Sequence, residues 1–314
     1  MRTKFSVVIP IYKNEQSIDA LFDSLEKLAA DLNERLQIVF VNDSSPDSSA
    51  LKIAKRKTIS PLEIKLIHHT RNFGSFSAIR SGLKHATGDY VGVISGDLQA
   101  PPSLLFSFFE TLRSGDIEIV FGSRISRSDP FISRILSKVY WFFYRKYINE
   151  EIPQNGVDVF ACKRVVVDVI TSLNETNTSL IGMLFWVGFK RDFQEYVRLP
   201  REHGKSAWTF KKKLQYMANS IFSFSNLPIR IIRVFGVFGS LASLSLGFIL
   251  LLASLTGRIE VPGYAPIMLA ILFGNSSILI GLGILGSYLW RTYENTQMRP
   301  YGIIRSVLEE DDEL

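Results

Sequence analysis

Asp97 ends an apolar, β-rich run within the stretch SGDLQAPP at 95–102. A lone carboxylate there has two readings. It can cap the turn that opens the following helix, with proline in the first turn. It can also hold a divalent cation at the carboxyl end of a sheet, where open α/β folds place their ligands. Asp43, in VFVNDSSPDSS at 39–49, poses the same choice between a turn residue and an acceptor for a base or ribose. Arg71-Asn72 and Gly122-Ser123-Arg124 are further polar clusters behind apolar runs. No GxGxxG follows the first apolar run and no GxxxxGK[ST] occurs, which disfavours dinucleotide binding and P-loop phosphoryl transfer.

The elements that must position these residues alternate. Strands are expected at 5–10, 36–41, 64–68, 90–95 and 117–121, and helices at 17–30, 47–56, 76–85 and 103–112. That spacing predicts an α/β domain, a mostly parallel sheet with helices on both faces, whose working loops lie at the strands' carboxyl ends. The polar clusters fall at or just past those ends.

Toward the C-terminus the composition changes. Residues 234–256 and 266–290 carry no charge, and each run exceeds the ~20 residues needed to cross a ~30 Å hydrocarbon core. Lys211–Lys213, Arg230 and Arg233 precede the first run, and Arg291, Arg299 and Arg305 follow the second, while the connection carries only Arg258 and Glu260. Positive-inside bias then predicts two transmembrane helices with both termini cytoplasmic. Stretches at 131–147 and 210–224 mix aromatic and basic residues, as helices lying in a membrane interface do; packing against the sheet fits their apolar spacing too. The formal charge of +6 is accounted for by attraction to anionic membrane lipid, with no nucleic acid expected. The single cysteine, Cys162, leaves no internal disulfide and suits a reducing compartment. Gly236, Gly239 and Gly247 offer small surfaces for helix association, compatible with a homo-oligomer.

The ordered set VVIPIYKNE, VFVNDSSPDSS, RNFGSFSAIRSGLKHATGDYV, SGDLQAPP and GSR, followed by two apolar runs, resembles the family-2 glycosyltransferases. The branch it is most similar to is the membrane-anchored polyprenyl-phosphate group, which includes dolichol-phosphate mannose synthase and bacterial glucosyl and aminoarabinosyl transferases. The resemblance implies a GT-A fold, a nucleotide-diphosphate sugar donor, Mg²⁺ or Mn²⁺, and inverting transfer to polyprenyl phosphate. The branch suggests a glucose donor such as UDP-glucose, with galactose, N-acetylhexosamine and aminoarabinose as alternatives. By the same resemblance Pro10, Tyr12 and Glu15 line the nucleotide pocket, Asp43 meets the base end, and Arg71 and Gly74 belong to that side. Asp97 matches the second carboxylate of a DxD metal motif, with Gln99 close behind, and Arg124 faces the donor's phosphates or sugar. The loop LPREHGKSAWTFKKK at 199–213 resembles the family's phosphate loop through Arg201, Gly204, Lys205 and Ser206.

Two departures carry consequences. Ser95 stands where the family usually has the first carboxylate, so more of the metal shell must come from phosphates and water. In QNGVDVFACKR the catalytic carboxylate implied by the resemblance, Asp158, falls one residue late, a slip that reverses a side chain on a strand but is absorbed in a turn. The expected domains are a cytoplasmic GT-A domain at 1–229, a two-helix anchor at 230–290 and a cytoplasmic tail at 291–314. A non-catalytic scaffold of the same fold, favoured by Ser95, and a transferase using another lipid acceptor are the alternatives.

Overall fold

The computed structural model describes residues 4–124, 145, 151–153, 156–173, 175, 179–200, 227–256 and 264–309. The loop residues Arg201, Lys205 and Ser206, and the expected interfacial helices near 131–147 (Arg145 excepted) and 210–224, lie outside these.

Three parallel strands, β1 (Phe5–Ile11), β2 (Leu36–Asn42) and β3 (Glu63–His69), are joined by helices α1 (Ile18–Leu32) and α2 (Ser49–Lys57). Helix α3 (Ser75–His85) then carries the chain back to β4 (Tyr90–Val93), parallel to β1 on its other side. The β1 and β2 sequences are near-continuous apolar runs because both faces are covered. On α1, Ile18, Leu21, Phe22, Leu25, Leu28 and Leu32 form one buried stripe, and the helix stops at Asn33 in the left-handed region. One core, including Phe22, Phe40, Phe108 and Phe109, lies under α1 and α4 (Leu104–Ser114). A second lies on the opposite face under α3, α5 (Arg164–Ser172) and α6 (Leu180–Trp186).

The strand order β3-β2-β1-β4 reverses direction between β1 and β4, and such a switch opens a crevice at the strands' carboxyl ends. The Asp97 loop leaves β4 into that crevice. Ser17, just before α1, donates to the Gly96 carbonyl at 2.7 Å and fixes the loop against β1.

Beyond β4 the sheet changes character. Strand β6 (Val157–Lys163) runs antiparallel to β4 and to β5 (Ile119–Arg124), and β7 (Arg191–Tyr196) lies parallel to β5 at the edge. The sheet is thus largely parallel with antiparallel additions. Asp158 is the second residue of β6, in strand and not in the turn expected for it. At the other edge β8 (Ile304–Leu308) pairs antiparallel with β3, so the stretch expected as a tail supplies a strand of the main sheet.

Helices α7 (Leu227–Leu255) and α8 (Tyr264–Thr296) separate this strand from the rest of the domain. Among the described residues one helical segment is long and apolar enough to cross a membrane, Phe273–Thr296. The other expected span falls on α7, many of whose side chains lie outside the described residues.

Candidate functional site

The residues expected on the nucleotide side sit at strand ends and on loops laced together by backbone donors. Pro10 occupies β1 opposite Val41, past the point where β4 pairing ends, so its missing N–H leaves no ladder bond unmade. The next turn passes through Lys13 at φ +60, with the Tyr12 amide donating to Asn14 Oδ1 at 2.9 Å. Glu15 accepts from the Ser48 amide at 3.2 Å, while its own amide donates to Asp47 Oδ2 at 3.1 Å. Burial raises the Asp47 carboxyl, but bonds from the Ser45 and Ser49 hydroxyls and the Glu15 and Ser49 amides outweigh it and hold the group below the ordinary carboxylate range.

Asp43 is buried at the end of β2. Its Oδ1 accepts from the Phe73 amide at 2.8 Å and contacts His69 Nδ1 at 2.8 Å, and its Oδ2 accepts from the Gly74 amide at 2.8 Å. Gly74 precedes α3 at φ +95 and ψ 157, a conformation open essentially to glycine alone. The Arg71 guanidinium is stacked over the Phe73 ring, 4.2 Å from its centroid. Asp43, Gly74 and the Arg71 loop are therefore one structural unit.

Asp97 is partly buried. The Ser95 hydroxyl donates to its Oδ1 at 2.5 Å, and the Gln99 amide approaches the same oxygen at 3.3 Å across Leu98 at φ +55. Asp97 does not cap the following helix: α4 begins at Leu104 with Ser103 before it, and the bonds to the Pro101 and Pro102 carbonyls that open the helix do not involve Asp97. The Gln99 side chain joins the segment after β7. Its Oε1 accepts from Arg198 at 2.5 Å, and its backbone carbonyl accepts from the Leu199 amide at 2.9 Å. That pairing ties the Asp97 loop to the segment leading into Arg201.

The third cluster spans β5, β6 and β7. Arg124 Nε donates to Asp158 Oδ2 at 2.9 Å, a second guanidinium nitrogen closes on the same oxygen, and the Tyr196 hydroxyl donates to Asp158 Oδ1 at 2.5 Å. Strand register makes the cluster, since Arg124 lies opposite Tyr196 and Ser123 opposite Val157. Burial lowers the Arg124 guanidinium, but the charge and hydrogen bonds of Asp158 outweigh it and leave Arg124 above its ordinary value. Burial and then the Asp158 charge push the Tyr196 phenol upward, so it stays a donor at neutral pH. Tyr196 and Arg198 join the site without having been singled out by any motif. Their signal, a tyrosine two residues before an arginine in DFQEYVRLP, has meaning only once β7 is known to lie beside β5.

Among the described residues no group of three His, Cys, Asp or Glu side chains forms a metal cage. The one carboxylate and adjacent hydroxyl at 95–97 fit Mg²⁺, which keeps several waters and takes oxygens from substrate phosphates. They do not fit a metal bound by protein alone.

Residues 6–172 match the family described as Glycosyl transferase family 2. An uncharacterised glycosyltransferase of Synechocystis sp. is 33% identical over 97% of this chain and 95% of its own length. The putative glycosyltransferase CsbB of Bacillus subtilis is 31% identical, over 96% and 91%. A prophage bactoprenol glucosyl transferase homolog of Escherichia coli is 32% identical, over 97% and 99%. Among solved structures, glucosyl-3-phosphoglycerate synthase of Mycobacterium tuberculosis, in complex with Mn²⁺, UDP and glucosyl-3-phosphoglycerate, covers 69% of this chain and 76% of its own at 18% identity and a TM-score of 0.45. With strand-end loops that bring the ordered motifs to one edge of the sheet, and with likeness to known members along nearly its whole length, the chain belongs to the family-2 glycosyltransferases.

Proposed function

We propose that the protein transfers a hexose, with inversion, from a nucleotide-diphosphate sugar such as UDP-glucose to polyprenyl phosphate at the cytoplasmic face of a membrane. The observation that carries this reading is the end-to-end likeness to the bactoprenol glucosyl transferase homolog, which takes in the domain and both long helices. The arrangement of polar groups supports it. The Asp43 unit lies past the carboxyl ends of β2 and β3, the position this reading gives to the base, and Asp97 follows β4 across the crevice. Arg124 and Asp158 lie at the carboxyl end of β5 and the start of β6.

Asp97, with Ser95 beside it, would hold Mg²⁺ or Mn²⁺ against the donor's diphosphate. That ion would supply charge neutralisation for the leaving group. The chain's own residues do the rest. Arg124 offers a planar, two-pronged contact for phosphate oxygens. Arg201, Lys205 and Ser206, which follow Leu199 in the sequence, would add further donors. Asp158 orients the acceptor: a lipid phosphate is already anionic near neutral pH, so it needs placing more than deprotonation.

A two-pass topology belongs to the same proposal, supported by parity. Strands β7 and β8 belong to one sheet, so the chain between them must cross a membrane an even number of times. The basic residues flanking the two helices favour the cytoplasmic side for that sheet. In a Cys162→Ser background, Gly263→Cys should react with an impermeant thiol reagent from outside the cell; labelling only after lysis would remove the two-pass reading.

The reaction is tested by offering the purified full-length protein a panel of nucleotide sugars with polyprenyl phosphate, with and without Mg²⁺ or Mn²⁺, and measuring glycolipid and its anomeric configuration. One donor should give metal-dependent product of inverted configuration. Absence of product from every donor, from protein of intact thermal transition, would defeat the proposal.

A further inference from the structure

His69, the last residue of β3, has a fully buried side chain. Its Nδ1 lies 2.8 Å from Asp43 Oδ1 and its Nε2 lies 2.9 Å from Ser81 Oγ on α3. An ionised carboxylate only accepts, so Nδ1 carries the proton, and in the neutral ring Nε2 accepts from the Ser81 hydroxyl. The imidazole is thus a rigid spacer between α3 and the Asp43 carboxylate. That carboxylate in turn receives the Phe73 and Gly74 amides that shape the loop before α3.

What closes over His69 is the segment that follows the long apolar helix α8. The Thr70 amide donates to the Ile303 carbonyl at 3.0 Å, and His69 pairs with Ile304 at a shift in the β3–β8 register. A Cβ on Gly302 would lie 3.0 Å from both His69 Nε2 and Ser81 Oγ, so glycine lets the backbone press directly on that bond. One residue earlier, the Tyr301 ring lies under the buried Arg80 guanidinium, 4.0 Å from its centroid. Arg80 is held in place by the Leu173 and Glu175 carbonyls.

We infer that His69 is a positioning residue for the nucleotide side of the site, and that residues 301–304 complete that side by locking the His69–Ser81 bond. This rests on the reading of Asp43 as part of a donor-nucleotide pocket. The consequence is that the chain emerging from α8 is a structural component of donor binding, one layer behind the residues that would touch the ligand.

The test uses the full-length protein in detergent or nanodiscs and two readouts. The first is hydrogen exchange of the peptide covering 70–76, which reports whether Asp43 still holds the Phe73 and Gly74 amides without any ligand. The second is equilibrium binding of UDP and of GDP with Mg²⁺. His69→Phe keeps a buried ring and removes the donor; exchange should quicken and nucleotide affinity should fall by about tenfold, the scale of one hydrogen bond to a charged group. His69→Asn places an amide N–H where the imidazole Nδ1–H stood and should restore most of both. Gly302→Ala, which crowds the same bond from the other side, should move both readouts in the direction of the Phe variant by a smaller amount. Unchanged exchange and affinity in His69→Phe would overturn the inference. So would an Asn variant as impaired as the Phe variant at equal thermal stability, because volume and not the donor would then matter. If His69→Phe does not fold, the Asn and Gly302→Ala variants decide by the same two readouts. Should the unmodified protein bind neither nucleotide, the donor reading falls separately, while exchange still decides whether His69 positions Asp43.

Discussion

On the β1–β2–β3 side of the sheet, Asp43 is buried and its oxygens meet an imidazole and two backbone amides. On the β5–β6–β7 side, Asp158 is more open, with 27% of its side chain exposed, and it meets a guanidinium and a phenol. The first set of partners belongs to the fold and cannot leave without unmaking a loop. The second includes a cation that an incoming phosphate can claim, because phosphate and carboxylate offer guanidinium the same two-pronged geometry. Under the proposed function, the fold would separate a fixed recognition edge from an edge whose pairing changes when an anionic substrate arrives. Asp97 lies between them, partnered by Ser95 and tied through Gln99 to the segment beyond β7.

The largest expected effect falls on that middle position. Asp97→Asn keeps the size and the turn but removes the charge a cation needs, and turnover should fall by at least ~10²-fold, the scale of removing one electrostatic stabiliser of the transition state. Glycolipid formation at saturating donor is the measurement. A rate like that of the unmodified protein would return Asp97 to a turn residue and leave the fixed and exchangeable edges with nothing between them. Next comes Arg124→Lys, which keeps the charge of the exchangeable edge and loses its planar fork. Turnover should drop about tenfold with the thermal transition nearly unchanged, the signature of a charge-assisted hydrogen bond that serves the substrate more than the fold. A fall in stability without a fall in kcat would place Arg124 with the fixed edge instead.

The same contrast explains how much of the molecule is legible in its sequence. The β1–α1–β2–α2–β3–α3–β4 half is built from consecutive parallel units, so each polar cluster follows its own strand, and local pattern alone places Asp43, Arg71 and Asp97, while Gly74 comes from the family resemblance. The other half is assembled by register between strands far apart in sequence. Asp158 meets Arg124 across 34 positions and Tyr196 across 38, and no local periodicity announces either pairing. Asp158 reads as a turn residue from its polar neighbours in QNGVD; pairing with β5, which brackets it at Val157 and Phe160, claims it for β6 nonetheless. Strand β8 escapes a sequence reading for the same reason, being a short alternating stretch whose partner, β3, precedes it by most of the chain.

A smaller effect is expected at Ser95. Its hydroxyl already lies 2.5 Å from Asp97, so Ser95→Asp would set two carboxylates side by side, an arrangement whose repulsion a divalent cation relieves. The metal concentration giving half-maximal turnover should fall several-fold, without a required rise in maximal rate, since tighter ground-state binding alone does not speed the reaction. A metal titration at saturating donor and lipid phosphate checks this; an unchanged or higher midpoint would mean that position 95 does not face the ion.

The smallest effect tests whether Tyr196 belongs to the exchangeable cluster as a true donor. Burial and the Asp158 charge raise its phenol above the ordinary value, which is near ~10 for tyrosine. A group whose native pKa is raised holds its proton longer in the folded than in the unfolded chain. Its contribution is therefore fully present below about pH 10 and is lost as pH rises through the folded value. Tyr196→Phe removes the hydrogen bond to Asp158, which should lower stability at neutral pH by about 1 kcal/mol, the scale of one partly exposed bond. It also removes the titrating group, so the variant should lose less of its remaining stability between neutrality and pH ~11. Thermal transitions of both proteins across that range give the difference curve. Tyr301, also raised by burial, is common to both proteins and cancels. A difference that stays flat with pH would show that Asp158 does not hold the Tyr196 proton, leaving Arg124 as its strong partner among the described residues and the exchangeable edge simpler than the geometry describes.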